Sequence, residues 1–362
     1  MMKRENGFSL IELIIVVAIL GFVLAAMSDM FVGLLRGFKQ QSKITETNIE
    51  GVIGLEMLRR DIQSAGYGLP WTIPAGTSYS EATNATALAY NDVAPNPPRA
   101  ILSGLDVNNR AYLVIKAINM ARNDACTKWT HLLSSGGTIT TTSWTPSGEN
   151  LQSTDKVIVI SPGTPATTSR TLVVNALGGF FTTFGSLVGF SSSDENRIIY
   201  GVDPDTDLIM PFNRADYYVS TTVTKPGRCA PGTGVLMKAI VDQGNGGFSG
   251  SSLPLLDCVA DMQVVTYLDQ IIPLDGIAET FSNGLSLPDP QTIRDQLKEV
   301  RVYILAHEGQ RDMSYTHTTN PMLVGESATL GRNFDFATNG ITNWQNYRWK
   351  VYTLVVRPNS LN

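Results

Sequence analysis

The stretch GFSLIELIIVVAILGFVLAAM, Gly7 to Met27, decides the architecture. From Phe8 to Ser28 the one charged residue is Glu12, and a run of about 20 apolar residues is what a helix needs to cross roughly 30 Å of hydrocarbon. Lys3 and Arg4 precede the run. By the positive-inside rule they hold the short leader on the cytoplasmic side, so the remainder of the chain is expected across the membrane. Glu12 is the anomaly, because an ionisable group inside a spanning segment is costly and marks a function with a partner.

Three readings of this segment compete. A removable secretory signal would use MMKREN as its basic region and be cut near Ala26, but the apolar run is longer than usual and a carboxylate interrupts it. A plain anchor would let Glu12 snorkel to the interface or carry it protonated. The third reading begins from spacing: a short basic leader, Gly7, the apolar Phe8, and Glu12 at the fifth position after the glycine. This pattern resembles the class III leader of type IV prepilins and type II secretion pseudopilins. The resemblance implies cleavage by prepilin peptidase between Gly7 and Phe8, N-methylation of Phe8, and a filament-assembly role for Glu12. The physical rationale is charge pairing. When helix N-termini leave lipid for an apolar filament core, a carboxylate near the start of one helix offsets the positive N-terminus of a neighbour, and each compensates the other's desolvation. Only one axial offset brings the two together, so the pair also sets register.

No proline precedes Pro70, so the helix is expected to continue past the membrane span. Residues 44–65 keep a helical period, with Val52, Leu55, Leu58, Ile62 and Ala65 on one stripe. Gly66, Gly68 and Pro70 supply the stop. A single helix from Phe8 to Ala65 would be roughly 87 Å long, with Gly33, Gly37, Gly51 and Gly54 as expected points of bending or local melting. The expected order is a leader (1–7), a transmembrane and filament-core helix (8–35), an amphipathic helix (36–68) and a β-rich globular head (69–362).

Beyond Pro70, β-rich runs alternate with Gly, Pro, Asn and Ser clusters. Strands are expected at 110–118, 156–161, 170–174, 197–202, 216–223, 234–241, 259–269, 297–308 and 347–358, antiparallel and burying one face, some against the helix. The turn-rich stretches 71–108 and 121–154 read as loops or small insertions. The fold class is α+β: a long N-terminal helix packed on an antiparallel sheet.

The segments LEMLRRDIQSAGYGLPW (55–71), LLDCVADMQVVTYLD (255–269), LKEVRVYILAHEG (297–309) and YRWKVYTLVVRPNSLN (347–362) together resemble a PilW-type minor pilin. The likeness covers both ends and the last third, and residues 70–215 only in general character. It implies a pilin-like fold and a subunit that primes type IV pilus assembly at or near the tip. Its partners would be the major pilin, other minor pilins and the inner-membrane assembly platform. The head would be periplasmic before assembly and at the cell surface after it. Asp29 stands where major pilins often carry proline, and reads as the end of the lipid-embedded span. A J-type pseudopilin of type II secretion shares this design; a tip adhesin or DNA-uptake module is the alternative from another class.

A formal net charge of −5 argues against a nucleic-acid partner. No GxSxG, Walker A or HExxH motif occurs and the three histidines are scattered, so neither an enzyme nor a cofactor is expected. Asp203, Asp205 and Asp207 have the alternate spacing of a calcium loop, but Leu208 and Arg214 stand where an EF-hand needs Gly and Glu. They read first as a solvated turn. GNGGFSG (244–250) has phosphate-loop glycines without the lysine, and reads as a flexible loop. Cys126, Cys229 and Cys258 allow three pairings. The favoured one joins Cys229 to Cys258, which bracket a strand and that loop, so that a bridge would clamp the sheet edge.

Overall fold

The computed structural model describes residues 9–121, 123–135, 138–163, 169–192, 196–248, 250, 252–271, 274–282 and 289–361. Helix α1, Leu10–Gln63, is continuous over 54 residues, or roughly 81 Å at 1.5 Å per residue. With no internal proline, nothing removes a hydrogen bond from its ladder. It ends two residues earlier than the stripe suggests, in a turn where Gly66 and Gly68 take φ of +85° and +71°. Side chains other than glycine rarely adopt these angles. The Gly66 N–H donates to the Lys116 carbonyl and docks the turn on the head.

The first strands are β1 (Ile101–Leu105), β2 (Ala111–Ala117), β3 (Trp129–Ser135), β4 (Thr138–Thr141), β5 (Lys156–Ser161), β6 (Thr171–Leu172), β7 (Thr182–Thr183) and β8 (Arg197–Asp203). Then come β9 (Asn213–Ser220), β10 (Gly234–Ile240), β11 (Leu253–Leu268), β12 (Thr280–Ser282), β13 (Leu297–Glu308), β14 (Met322–Gly325), β15 (Gly331–Phe334) and β16 (Arg348–Val356). Among the described residues the main sheet runs β1-β2-β9-β10-β11-β13-β16, with β12 also on β11. A second sheet runs β4-β3-β8-β5-β6, with β7 on β5, and β14 and β15 form a separate hairpin. Every pairing is antiparallel apart from one isolated bridge, Thr72 to Thr171. A short helix α2, Pro290–Gln296, leads into β13. It is capped by Asp289, whose side chain accepts from the N–H groups of Gln291 and Thr292, with Pro290 in its first turn.

Period-two alternation assigns the faces. Val300, Val302 and Ile304 of β13 join Leu55, Leu58 and Ile62 of α1 in the largest core. Tyr303 and Leu305 point the other way, into a second core with Phe334, Phe336, Tyr347 and Trp349. Covered on both sides, β11 and the 302–306 part of β13 are largely apolar. The second sheet behaves alike: Ile158 and Ile160 enter the largest core, while Val157 and Val159 face a third one with Leu132, Phe190 and Ile199.

Two expectations need correction. The stretches read as loops contain β1, β3 and β4. Strand β4, TITT, alternates exposed and half-buried residues, and a short edge strand rich in threonine has the texture of a loop. The glycines of α1 neither break it nor share one role. A Cβ on Gly33 or Gly37 would meet nothing within 4 Å, whereas one on Gly54 would lie 1.8 Å from the Leu255 carbonyl oxygen and one on Gly51 3.0 Å from Leu256 Cδ1. Gly54 lets the helix backbone touch β11.

Cys229 and Cys258 are joined by a disulfide, with Cα atoms 4.8 Å apart and 29 residues of separation. Cys126 is free and buried, and burial pushes its thiol up to about 12. Loop-closure entropy for that separation is about 3.6 kcal/mol. The double variant C229S/C258S, unfolded in urea beside the oxidised wild type, is therefore expected to lose about that much stability; equal midpoints and slopes would refute it.

Candidate functional site

The surface that most needs a partner is the first half of α1. The most apolar 18-residue stretch of Leu10–Leu35 has a mean hydropathy of 2.9 and no buried residue. Five consecutive side chains, Leu13, Ile14, Ile15, Val16 and Val17, are each more than half exposed. At 100° per residue they cover every side of the helix, so no polar face remains for water. Such a segment must be surrounded by lipid or by other apolar helices. Its 26 residues reach roughly 39 Å, enough for a bilayer core.

Glu12 lies in the first turn of this segment, and its side chain is exposed among exposed Leu10, Ile11, Leu13 and Ile15. The helix begins after Ser9, whose side chain makes no capping hydrogen bond. A carboxylate in a first turn is favoured by the helix dipole. Gly7 and Phe8 lie outside the described residues.

Residues 2–28 match the family described as the prokaryotic N-terminal methylation motif. The chain carries that methylation motif. Its architecture is a long N-terminal helix, apolar in its first half, leading into an antiparallel β-sheet head. The methylation motif implies processing by prepilin peptidase and assembly with pilins in general, and the apolar helix behind it fits anchoring in the inner membrane before assembly. Among solved structures the chain is similar to a type IV-like pilin from Thermus thermophilus, at 10% identity and a TM-score of 0.35, over 87% of this chain and 98% of that one. No curated protein matches the chain significantly.

Where α1 meets the head, Ile53, Gly54 and Met57 with Leu253–Asp257 line a groove of 430 Å³. Val52 and Ile53 beside it are exposed, a second apolar patch separated from the anchor by the polar stretch KQQSKITETNIE at 39–50. One polar residue on the head-facing side of α1 escaped the sequence pattern. Asp61 accepts from Lys238 Nζ at 2.8 Å and from the Tyr217 hydroxyl, tying the helix to β9 and β10.

The sequence pattern also missed a buried ionic cluster. Lys116 Nζ lies 2.7 Å from Glu81 and 2.6 Å from Asp92, while Arg214 contacts Glu81 at 2.8 Å and Asp216 at 2.7 Å. Burial pushes the Asp92 carboxyl up, but Lys116 and Arg99 hold it below the usual carboxylate range. For Arg214, burial is outweighed by Asp216 and Glu81, which keep it charged. With its charges mutually compensated, the cluster fastens the segment from Glu81 to Arg99 across β2 and β9. The available signal was Lys116 inside the apolar run AYLVIKA, and Arg214 and Asp216 two residues apart on one strand.

The three aspartates of the calcium-like spacing serve a turn. Asp203 Oδ1 accepts from the N–H groups of Asp205 and Thr206, and Asp207 pairs with Lys156 at 2.7 Å. The glycine-rich stretch packs: the Gly246 carbonyl accepts from Thr83 N–H.

Proposed function

We propose that this chain is a minor pilin of the PilW type, stored in the inner membrane, cut between Gly7 and Phe8, methylated on Phe8, and incorporated at or near the tip of a type IV pilus. The observation that carries the reading is the all-round apolar helix of Leu10–Leu35 with Glu12 in its first turn. A membrane explains the apolar surface but not the carboxylate. A filament core explains both, because there a neighbour's new N-terminal amine can meet Glu12 at the same depth.

Assembly would then proceed by helix packing with the major pilin and companion minor pilins, while the head stays outside the core. The groove at Ile53 and Leu255 adds a separate apolar patch at the neck. The PilW-type assignment rests on the segments at 55–71, 255–269, 297–309 and 347–362 quoted above.

Replacing Gly7 by lysine is expected to block leader removal by placing a long charged side chain where the peptidase acts. Intact-mass measurement of the membrane-extracted protein should show the variant heavier by residues 1–7 and lacking the methyl group, with the wild type beginning at Phe8. A wild-type chain beginning elsewhere would overturn the processing step.

A further inference from the structure

A second feature lies at the other end of the molecule and does not depend on the assembly reading. Strand β11 ends at Leu268, opposite Leu297 of β13. Val300 pairs with Val356 of β16, and the Asn359 N–H donates to the Gln63 carbonyl at the end of α1. The connection from β11 to β12 therefore leaves the sheet at the end farthest from the apolar half of α1. In that connection, carboxylate oxygens of Asp269, Asp275 and Glu279 lie within 4.8 Å of one another.

Three carboxylates at that spacing repel unless something positive joins them. Acidic residues often gather on surfaces without a ligand, but Asp269 is not on the surface: it is 0% exposed, and its Oδ1 is buried with no hydrogen-bond partner. Its other oxygen accepts from Gly276 N–H at 2.7 Å and lies 3.7 Å from Lys298 Nζ. An unpartnered buried carboxylate oxygen is expensive. The Asp269 orphan is an acceptor, so the element it lacks is a cation or a donor.

We propose that Asp269, Asp275 and Glu279 hold a calcium ion that closes the β11–β12 connection at the membrane-distal end of the head. An all-oxygen set selects a hard cation over zinc or copper. Carboxylates spread along a loop suit the irregular six- to eight-fold shell of calcium better than the rigid octahedron of magnesium. Three carboxylates against the one ammonium of Lys298 leave an excess that a divalent ion matches. Asp275 is exposed and gives the ion a way in, and it also accepts from Ile277 N–H at 2.9 Å, while Glu279 accepts from Gln270 N–H at 3.2 Å. These bonds hold both carboxylates in place before the ion arrives.

The test uses the full chain in detergent, with calcium chloride as the only added ligand. Calorimetric titration should fit a single site, saturating only at calcium well above Kd, with a Kd of about 10⁻⁴–10⁻³ M as in extracellular modules. At about ten times Kd the melting temperature should rise by roughly 3 °C over a chelator control. Asp275→Asn and Glu279→Gln should each abolish the rise and, by relieving repulsion, melt no lower than wild type in chelator. Asp269→Asn provides a third arm if it folds. Equal melting of the wild type in calcium and chelator, or a rise retained by both exposed-side variants, overturns the proposal, and an equal response to magnesium overturns the choice of ion.

Discussion

Glu12→Ala is expected to insert, fold and lose its leader as the wild type does, and to fall by about a hundredfold or more in sheared filaments. The three parts have separate causes. Insertion depends on the apolar run, which the change lengthens; folding depends on the head, which Glu12 does not touch; and cleavage depends on Gly7 and Phe8. Incorporation alone needs the carboxylate. Without it, the neighbour's N-terminal amine enters the apolar core unpaired, at a cost of about 3–5 kcal/mol, and each 1.4 kcal/mol is a tenfold change. Glu12→Gln should fall between the two, since an amide can accept a hydrogen bond but cannot neutralise the amine. Quantitative blotting of sheared filaments against the membrane fraction checks this. Recovery of Glu12→Ala at wild-type level would refute the pairing and leave a plain anchor as the better account of the segment.

The second large effect belongs to the neck. Gly54→Ala should destabilise the chain by about 3 kcal/mol, although alanine is the better helix former by about 1 kcal/mol. The new methyl would sit 1.8 Å from the Leu255 carbonyl oxygen, and backbone cannot move aside as a side-chain tip can, so helix and sheet must separate along their shared core. The same change at Gly33 or Gly37, where nothing lies within 4 Å, should leave the melting temperature of the detergent-solubilised chain unchanged or slightly raised. For a head of this size the Gly54 variant should melt roughly 5 °C lower. If all three variants melt together, the close approach of α1 to β11 is wrong.

The contrast among these glycines shows where sequence reading stops. A glycine within a helical pattern is the same letter whether it faces lipid or a carbonyl oxygen. Edge strands were lost for a related reason: β4 is short, exposed on alternate residues and made of threonine and isoleucine, so local texture gives little to separate it from a loop. The buried charges of Lys116 and Arg214 could not be paired from sequence because their partners Glu81 and Asp92 lie in a segment with no regular period.

What the sequence by itself determined about this protein is the apolar span, the placement of Glu12 after Gly7, the continuation of the helix past that span to its glycine stop, and most long strands. These follow from residues close together in the chain, where composition and spacing act directly on helix, strand and membrane preference. Only the tertiary structure decided that Gly54 is a contact, that Asp61 reaches Lys238, and that the acidic group worth testing is Asp269, Asp275 and Glu279 and not Asp203, Asp205 and Asp207. Those outcomes depend on which strands become neighbours and which ends of the sheet coincide with the end of α1. Convergence of side chains across a sheet is set by strand order, and strand order is a property of the whole core that no local pattern encodes.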